Sequence, residues 1–148
     1  MRIFLTGYMY SGKTTIGKKV ARKLELPFYD LDDYFEIKYK ISVTQFFEKY
    51  SEELFRKLET ETLAELIRQE DNVLISTGGG TACFNHNMEL MNASGLTVYV
   101  EMSPKSVFAR MQASKRKGLC CCRSRRIKWK LLLRNTLRKG ENITASPG

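Results

Sequence analysis

The sequence predicts an α/β domain built on a parallel sheet flanked by helices. Short apolar runs alternate with longer helical stretches, as parallel strands linked by crossover helices require. A glycine-rich turn, Gly7-Tyr8-Met9-Tyr10-Ser11-Gly12-Lys13-Thr14, joins the first such run to the first helical stretch. It fits the phosphate-binding loop pattern of Gly, any four residues, then Gly-Lys-Ser/Thr. The 148 residues suffice for one domain with one core.

The elements follow in order. Ile3–Thr6 reads as a strand, and Thr14–Leu24 as a helix with Ile16, Val20, Ala21 and Leu24 on its apolar face. Pro27 stops that helix. Phe28-Tyr29 is a short strand ending at Asp30, and a helix runs from about Asp32 to Tyr39. Val43–Tyr50 and Ser51–Arg68 are helical, the second capped by Ser51 with Glu52 and Glu53 behind it. Val73–Ser76 is a buried strand that runs into Thr77 and the triplet Gly78-Gly79-Gly80. Asn85–Ala93 is a helix ended by Gly95 as a C-cap. Leu96–Val100 is a strand, and Ser103-Pro104 starts a helix reaching about Lys117.

The loop motif carries chemistry. Its backbone N–H groups and the helix dipole favour phosphate. Lys13 is placed to reach β- and γ-phosphate oxygens, and the Thr14 hydroxyl to ligate Mg²⁺. Tyr10, Ser11, Gly12 and Thr15 complete the nucleotide cradle, with Thr15 near the α-phosphate. Tyr10 stands where a third glycine is common, at a backbone angle that strains any other residue by about 1 kcal/mol.

Beyond the loop, Asp30, Asp32 and Asp33 follow a strand directly, where open parallel sheets bind ligands. Asp30 suits Mg²⁺ through a water, and Asp32 suits a substrate hydroxyl. One of the three is expected to cap the following helix, with Asp33 the choice. Arg56 is either a bidentate grip for a carboxylate or a solvated helix charge. Gly78, Gly79 and Gly80 either let backbone approach a ligand or form a plain flexible loop. His86 reads as a surface residue and Cys83 as a small core or loop residue.

Composition divides the chain. Residues 1–117 hold 17 Lys/Arg against 15 Asp/Glu, whereas residues 118–148 hold 8 against 1. So +7 of the net +9 belongs to the tail. No apolar run is long enough to span a membrane. The chain opens directly into a strand, so no secretory leader is expected. Four Cys without metal-type spacing point to a reducing, cytoplasmic setting.

Together these pieces resemble the shikimate kinase family. The matching stretches are Gly7–Thr15, Phe28–Asp32, Phe46–Tyr50 leading to Glu53–Arg56, and Ser76–Gly80, in that family's order and spacing across residues 1–117. The resemblance implies a five-stranded sheet of the nucleoside monophosphate kinase type. It also implies transfer of the γ-phosphoryl of ATP to the 3-hydroxyl of shikimate, with Mg²⁺, by a monomer. By this likeness Lys13 and Thr14 handle ATP and metal, and Asp30 is the metal-side carboxylate. Asp32 binds the reacting hydroxyl, Arg56 grips the shikimate carboxylate, and Gly78, Gly79 and Gly80 close over shikimate. A gluconate-kinase-like enzyme of the same fold, or a non-catalytic nucleotide-binding fragment, are the alternatives.

After Lys117 the likeness stops. The family carries a lid there with Arg-Pro-Leu-Leu, whose Arg contacts ATP. A second substrate Arg, a terminal strand and a helix follow it. Here three adjacent cysteines, Cys120, Cys121 and Cys122, precede an Arg cluster. One synonymous codon choice for Lys117–Lys130, with a single C inserted after the Lys117 codon, restores Lys-Arg-Pro-Leu-Leu-Leu-Gln-Glu-Gln-Glu-Asp-Lys-Met-Glu. Residues 118–148 therefore read as a frameshift product rather than a native domain. A natural divergent tail that binds nucleic acid or a partner is the alternative. The expected consequences are a domain lacking its lid and C-terminal elements, poor solubility and little kinase activity.

Overall fold

The computed structural model describes residues 1–113. Four strands form one sheet: β1 (Arg2–Thr6), β2 (Phe28–Asp30), β3 (Val73–Ser76) and β4 (Leu96–Tyr99). The helices are α1 (Lys13–Lys23), α2 (Leu31–Tyr39), α3 (Val43–Lys49), α4 (Glu52–Gln69), α5 (Asn87–Ser94) and α6 (Pro104–Ala113), with a 3₁₀ turn over Thr81–Cys83. All strand pairs are parallel, in the order β2-β3-β1-β4. A fifth, terminal strand was expected beyond Lys117, outside the described residues.

The strand order explains where the site lies. β1 pairs with β3 on one side and β4 on the other. The sheet thus grows in both directions from β1, and the crevice beyond the carboxyl ends at such a point is the natural ligand position. Gly7, Asp30 and Thr77 all lie at that end, where β1, β2 and β3 finish.

Alternation along β1 sorts the core into two layers. Phe4 joins Leu31, Leu63, Leu66, Val73, Ile75 and Met91 on one face. Ile3 and Leu5 join Leu74 and Ala21 on the other. A third cluster of Phe35, Phe46 and Phe55 ties α2, α3 and α4 together, with ring centroids 5.0–5.9 Å apart.

Two local expectations are corrected. The inward face of α1 is Lys13, Gly17 and Ala21, while Ile16 and Leu24 are 41% and 45% exposed. Gly17 decides this, because a Cβ there would sit 2.5 Å from Phe28 and 3.1 Å from Leu5. The bare backbone packs directly on the sheet, which rotates the larger apolar residues outward. Second, the cap of α2 is Asp30, whose side chain accepts from Asp32 N at 3.1 Å, and not Asp33. Gly95 is the C-cap of α5, as expected, with extended backbone, φ 175°. A Cβ at Gly95 would lie 2.4 Å from the Arg2 carbonyl oxygen, so glycine is required by close approach to β1.

Other signals hold. Ser51 accepts from Leu54 N at 3.2 Å, and Ser103 accepts from Ser106 N at 3.2 Å one residue before Pro104 opens α6. Ser42 and Gln45 form a capping box at α3 that the sequence reading missed. His86 is exposed and stands just before α5, its Nδ1 2.9 Å from Glu89. Among the described residues no helix is long and apolar enough to cross a membrane.

Candidate active site

The phosphate-binding loop closes over its own lysine. Gly12 precedes α1 in the left-handed region, φ 88°, and no side chain caps the helix. The first-turn N–H groups of α1 thus have no side-chain acceptor, which is the arrangement that receives an anion. Lys13 is buried, and its Nζ donates to the carbonyls of Gly7 and Tyr8, both at 2.9 Å. Burial lowers its pKa to about 8, against the opposing pull of Asp32 and Asp30. Ser11 is buried, with no partner for its hydroxyl. Tyr10 does occupy the glycine-like conformation, with φ 62°, and its carbonyl accepts from Arg110 at 3.3 Å. Thr15 is exposed on the first turn of α1.

Asp30 does two jobs with its two oxygens. Oδ1 accepts from Asp32 N, and Oδ2 accepts from the Thr14 hydroxyl at 2.6 Å. Thr14 and Asp30 therefore present adjacent hard oxygen donors beside the loop. Among the described residues no three His, Cys, Asp or Glu side chains converge on a metal position. A two-oxygen set suits Mg²⁺, which keeps waters and phosphates as its remaining ligands.

Asp32 is partly buried, one residue into the first turn of α2. Burial, reinforced by the neighbouring charges of Asp30 and Glu59, raises its pKa to about 7, while Lys13 pulls it down. Lys13 and Asp32 thus share a poorly solvated pocket as opposite charges.

The glycine triplet connects everything. A Cβ on Gly79 would lie 2.9 Å from Met9 N, so that residue rests on the phosphate-binding loop. At Gly78 a Cβ would lie 3.1 Å from Asp32 Oδ1 and 3.1 Å from Glu59 Oε1. At Gly80 it would lie 3.0 Å from an Arg56 terminal nitrogen. The triplet thus neighbours Asp32, the phosphate-binding loop and Arg56 in turn.

Arg56 is held from several sides. It donates to Glu59 Oε2 at 2.9 Å and lies 3.5 Å from Glu52 Oε1. Its guanidinium carbon stands 4.2 Å from the Phe84 ring centroid and 5.2 Å from that of Phe55. The side chain is 13% exposed and its Nε has no partner. This is no solvated helix charge. Sequence reading missed Glu59, which is 2% exposed and takes a second bond from Thr81 Oγ1 at 2.6 Å. Its spacing three residues after Arg56 on a helix was the available signal. Phe84 and Asn85 carried no local signal, since they reach Arg56 only through the tertiary fold.

Comparison with known proteins agrees with this geometry. A family model for shikimate kinase matches residues 9–142, a span that runs past Lys117. The chain is 56% identical over 100 residues to a shikimate kinase of Azobacteroides pseudotrichonymphae, covering 68% of this chain and 59% of that protein. It is 50% identical over 115 residues to one from Bacteroides fragilis, covering 78% and 64%. The chain thus spans about three fifths of the length of these curated relatives. A crystal structure of shikimate kinase from Bacteroides thetaiotaomicron superposes with TM-score 0.77 at 42% identity, covering 94% of this chain and 78% of that one. Shikimate kinase from Acinetobacter baumannii in complex with shikimate gives 0.80 at 30% identity, covering 94% and 78%. By family model and sequence identity alike, the chain belongs to the shikimate kinase family.

Proposed function

We propose that this site transfers the γ-phosphoryl group of ATP to the 3-hydroxyl of shikimate, giving shikimate 3-phosphate and ADP. The observation that carries the reading is the glycine triplet. It abuts the phosphate-binding loop at Gly79, the Asp32 carboxylate at Gly78 and the Arg56 guanidinium at Gly80. A small acceptor with a carboxylate at one end and a hydroxyl at the other fits that sequence of partners.

Each residue then has a physical task. Phosphate oxygens compete with the Gly7 and Tyr8 carbonyls for Lys13 Nζ, and the first turn of α1 supplies N–H donors. Tyr10, Ser11, Gly12 and Thr15 line that cradle. Thr14 and Asp30 would hold Mg²⁺, which supplies charge neutralisation on the phosphates. Asp32 accepts the proton of the reacting hydroxyl, orienting its oxygen for in-line attack. Arg56 binds the substrate carboxylate bidentately. Gly78, Gly79 and Gly80 bring backbone against the bound acceptor. Catalysis of this kind is positioning and charge stabilisation. The proposed setting is the cytoplasm and the proposed working unit a monomer.

We further propose that residues 1–117 are the kinase domain and that residues 118–148 arise from a frameshift. Loss of the lid Arg would then slow transfer by about 10²–10³-fold, the usual cost of one transition-state donor. Resequencing the coding DNA from the Arg116 codon to the Cys122 codon tests this: an extra base restoring Arg-Pro-Leu-Leu means that the lid is present and this tail never existed, the present codons one base short of Arg-Pro-Leu-Leu mean a kinase that has lost its lid, and codons that no single insertion turns into Arg-Pro-Leu-Leu remove the frameshift. The substrate reading is tested by calorimetry with MgADP present. Shikimate is expected to bind, with affinity reduced at least tenfold in Arg56→Met and MgADP affinity unchanged. Equal shikimate affinity in both proteins would contradict it.

A further inference from the structure

We infer that Phe84 and Asn85, immediately after the 3₁₀ turn, form a bracket that sets the plane of Arg56, making Phe84 a positioning residue for recognition of the substrate carboxylate. The inference rests on the reading of Arg56 as the carboxylate grip. It adds residues outside the phosphate loop, the acidic pair and the glycine triplet.

The geometry is specific. The Phe84 ring centroid lies 4.2 Å from the guanidinium carbon, within the range of a cation over an aromatic face. Asn85 sits in the left-handed region, φ 50°, and its Nδ2 donates to the Arg56 carbonyl at 3.0 Å and to Thr60 Oγ1 at 3.1 Å. The same segment starts with Thr81, whose hydroxyl donates to Glu59 at 2.6 Å. Residues 81–85 therefore grip α4 at both the backbone and the head group of Arg56, and at the carboxylate that pairs with it.

A guanidinium binds a carboxylate through N–H groups in its own plane. An aromatic ring against its face leaves those in-plane donors free for a ligand. Glu59 takes one terminal nitrogen at 2.9 Å, Glu52 stands 3.5 Å from the other, and Nε is buried without an acceptor. The ring thus fixes the plane while donor capacity remains for a substrate. Holding the fork in advance removes rotamer entropy from the binding step. An aliphatic residue at position 84 fills space but supplies no quadrupole to orient the charge.

Phe84→Leu, Phe84→Tyr and Arg56→Met are compared with the unaltered 148-residue chain. Shikimate and MgADP affinities are measured by titration, melting temperatures by calorimetry, and the Arg56 Nε–Hε resonance by NMR. Phe84→Leu is expected to weaken shikimate binding by roughly 3–20-fold, the range of a partly desolvated cation–aromatic contact. Phe84→Tyr restores it, and MgADP affinity stays constant in both. In an Arg56→Met background the Phe84→Leu effect on shikimate disappears. The Arg56 Nε–Hε resonance moves in Phe84→Leu even without ligand, because the Phe84 share of its ring-current shift is lost while that of Phe55 stays. Unchanged shikimate affinity in Phe84→Leu while the unaltered chain binds shikimate overturns the inference. So does parallel loss of shikimate and MgADP affinity, which marks a purely structural role. Absence of shikimate binding by the unaltered chain, with the Phe84 share of the ring-current shift present, overturns instead the substrate reading on which the inference rests.

Discussion

Asp32 and Lys13 put the reaction's pH dependence at the scale of single residues. Burial pushes the Asp32 carboxyl up to about 7 and the Lys13 ammonium down to about 8. The proposed chemistry needs Asp32 ionised and Lys13 charged. The pH profile of kcat/KM, which reports groups of the free enzyme, should therefore rise through about 7 and fall above about 8. A flat profile from pH 6 to 9 would contradict both roles. Stability gives a second reading of Asp32. Its folded pKa lies above the ordinary 3.8, so its contribution is fully present below 3.8 and is lost as pH rises through about 7. Asp32→Asn removes that titration. The variant should be at least 10²-fold less active yet more stable than the parent at pH 8, by about 1 kcal/mol. The gain should shrink towards pH 4, as thermal unfolding at the two pH values would show. Asp32 itself was legible because three aspartates followed a strand end. Its neighbour Glu59 was signalled only by its spacing from Arg56, and its burial was not legible because Thr81 reaches it from elsewhere in the fold.

At the scale of elements, glycines mark where backbone meets backbone. The phosphate-binding loop touches the triplet at Gly79, so Gly79→Ala should push a methyl into Met9 N, 2.9 Å away. It is expected to weaken both MgADP and shikimate binding, each by roughly tenfold, through a cost of about 1–2 kcal/mol. An effect on one ligand alone would show that the two loops are not mechanically joined. Gly17→Ala meets Phe28 at 2.5 Å, on the face of α1 that packs on the sheet. It should lower stability by about 1–3 kcal/mol, read by denaturant unfolding, with ligand affinities unchanged in the folded fraction. Gly17 also shows why the sequence reading of α1 held for Val20 and Ala21 but not for Ile16 and Leu24. Helical periodicity weights Ile16 and Leu24 as core, but a glycine at position 17 lets the helix sit closer and on a different face. The strands suffered no such ambiguity, since Phe4 and its neighbours alternate between two layers as period two requires. Capping was read correctly at Ser51 and Ser103, missed at Ser42, and misread where several aspartates competed.

At the scale of the whole molecule, β4 forms one edge of the four strands described. Leu96, Val98 and Tyr99 on it are 59%, 38% and 41% exposed, and Phe108 on α6 is 55% exposed. An apolar edge strand of this kind invites association between chains. Val98→Lys should reduce light scattering of the concentrated chain without altering its melting temperature by more than a degree or two. Unchanged scattering would move the cause of association away from β4. The parallel sheet and the position of the ligand crevice were legible from the alternation of strands with helices and from the loop after β1, whereas the order of the strands was not. The packing of the triplet against three separate elements was not, because nothing in Ser76–Gly80 indicates which elements it will meet.

The central claim, phosphoryl transfer to shikimate, is tested most directly by single-turnover transfer. The purified 148-residue chain is mixed in excess over ATP labelled at the γ-phosphate, with Mg²⁺ and either shikimate or gluconate, and the labelled products are separated. A rate slowed by about 10²–10³-fold still yields a visible product under these conditions. The account predicts label on shikimate, none on gluconate, and none on shikimate with Asp32→Asn over the same interval. Label on gluconate, or release as free phosphate regardless of acceptor, would contradict it.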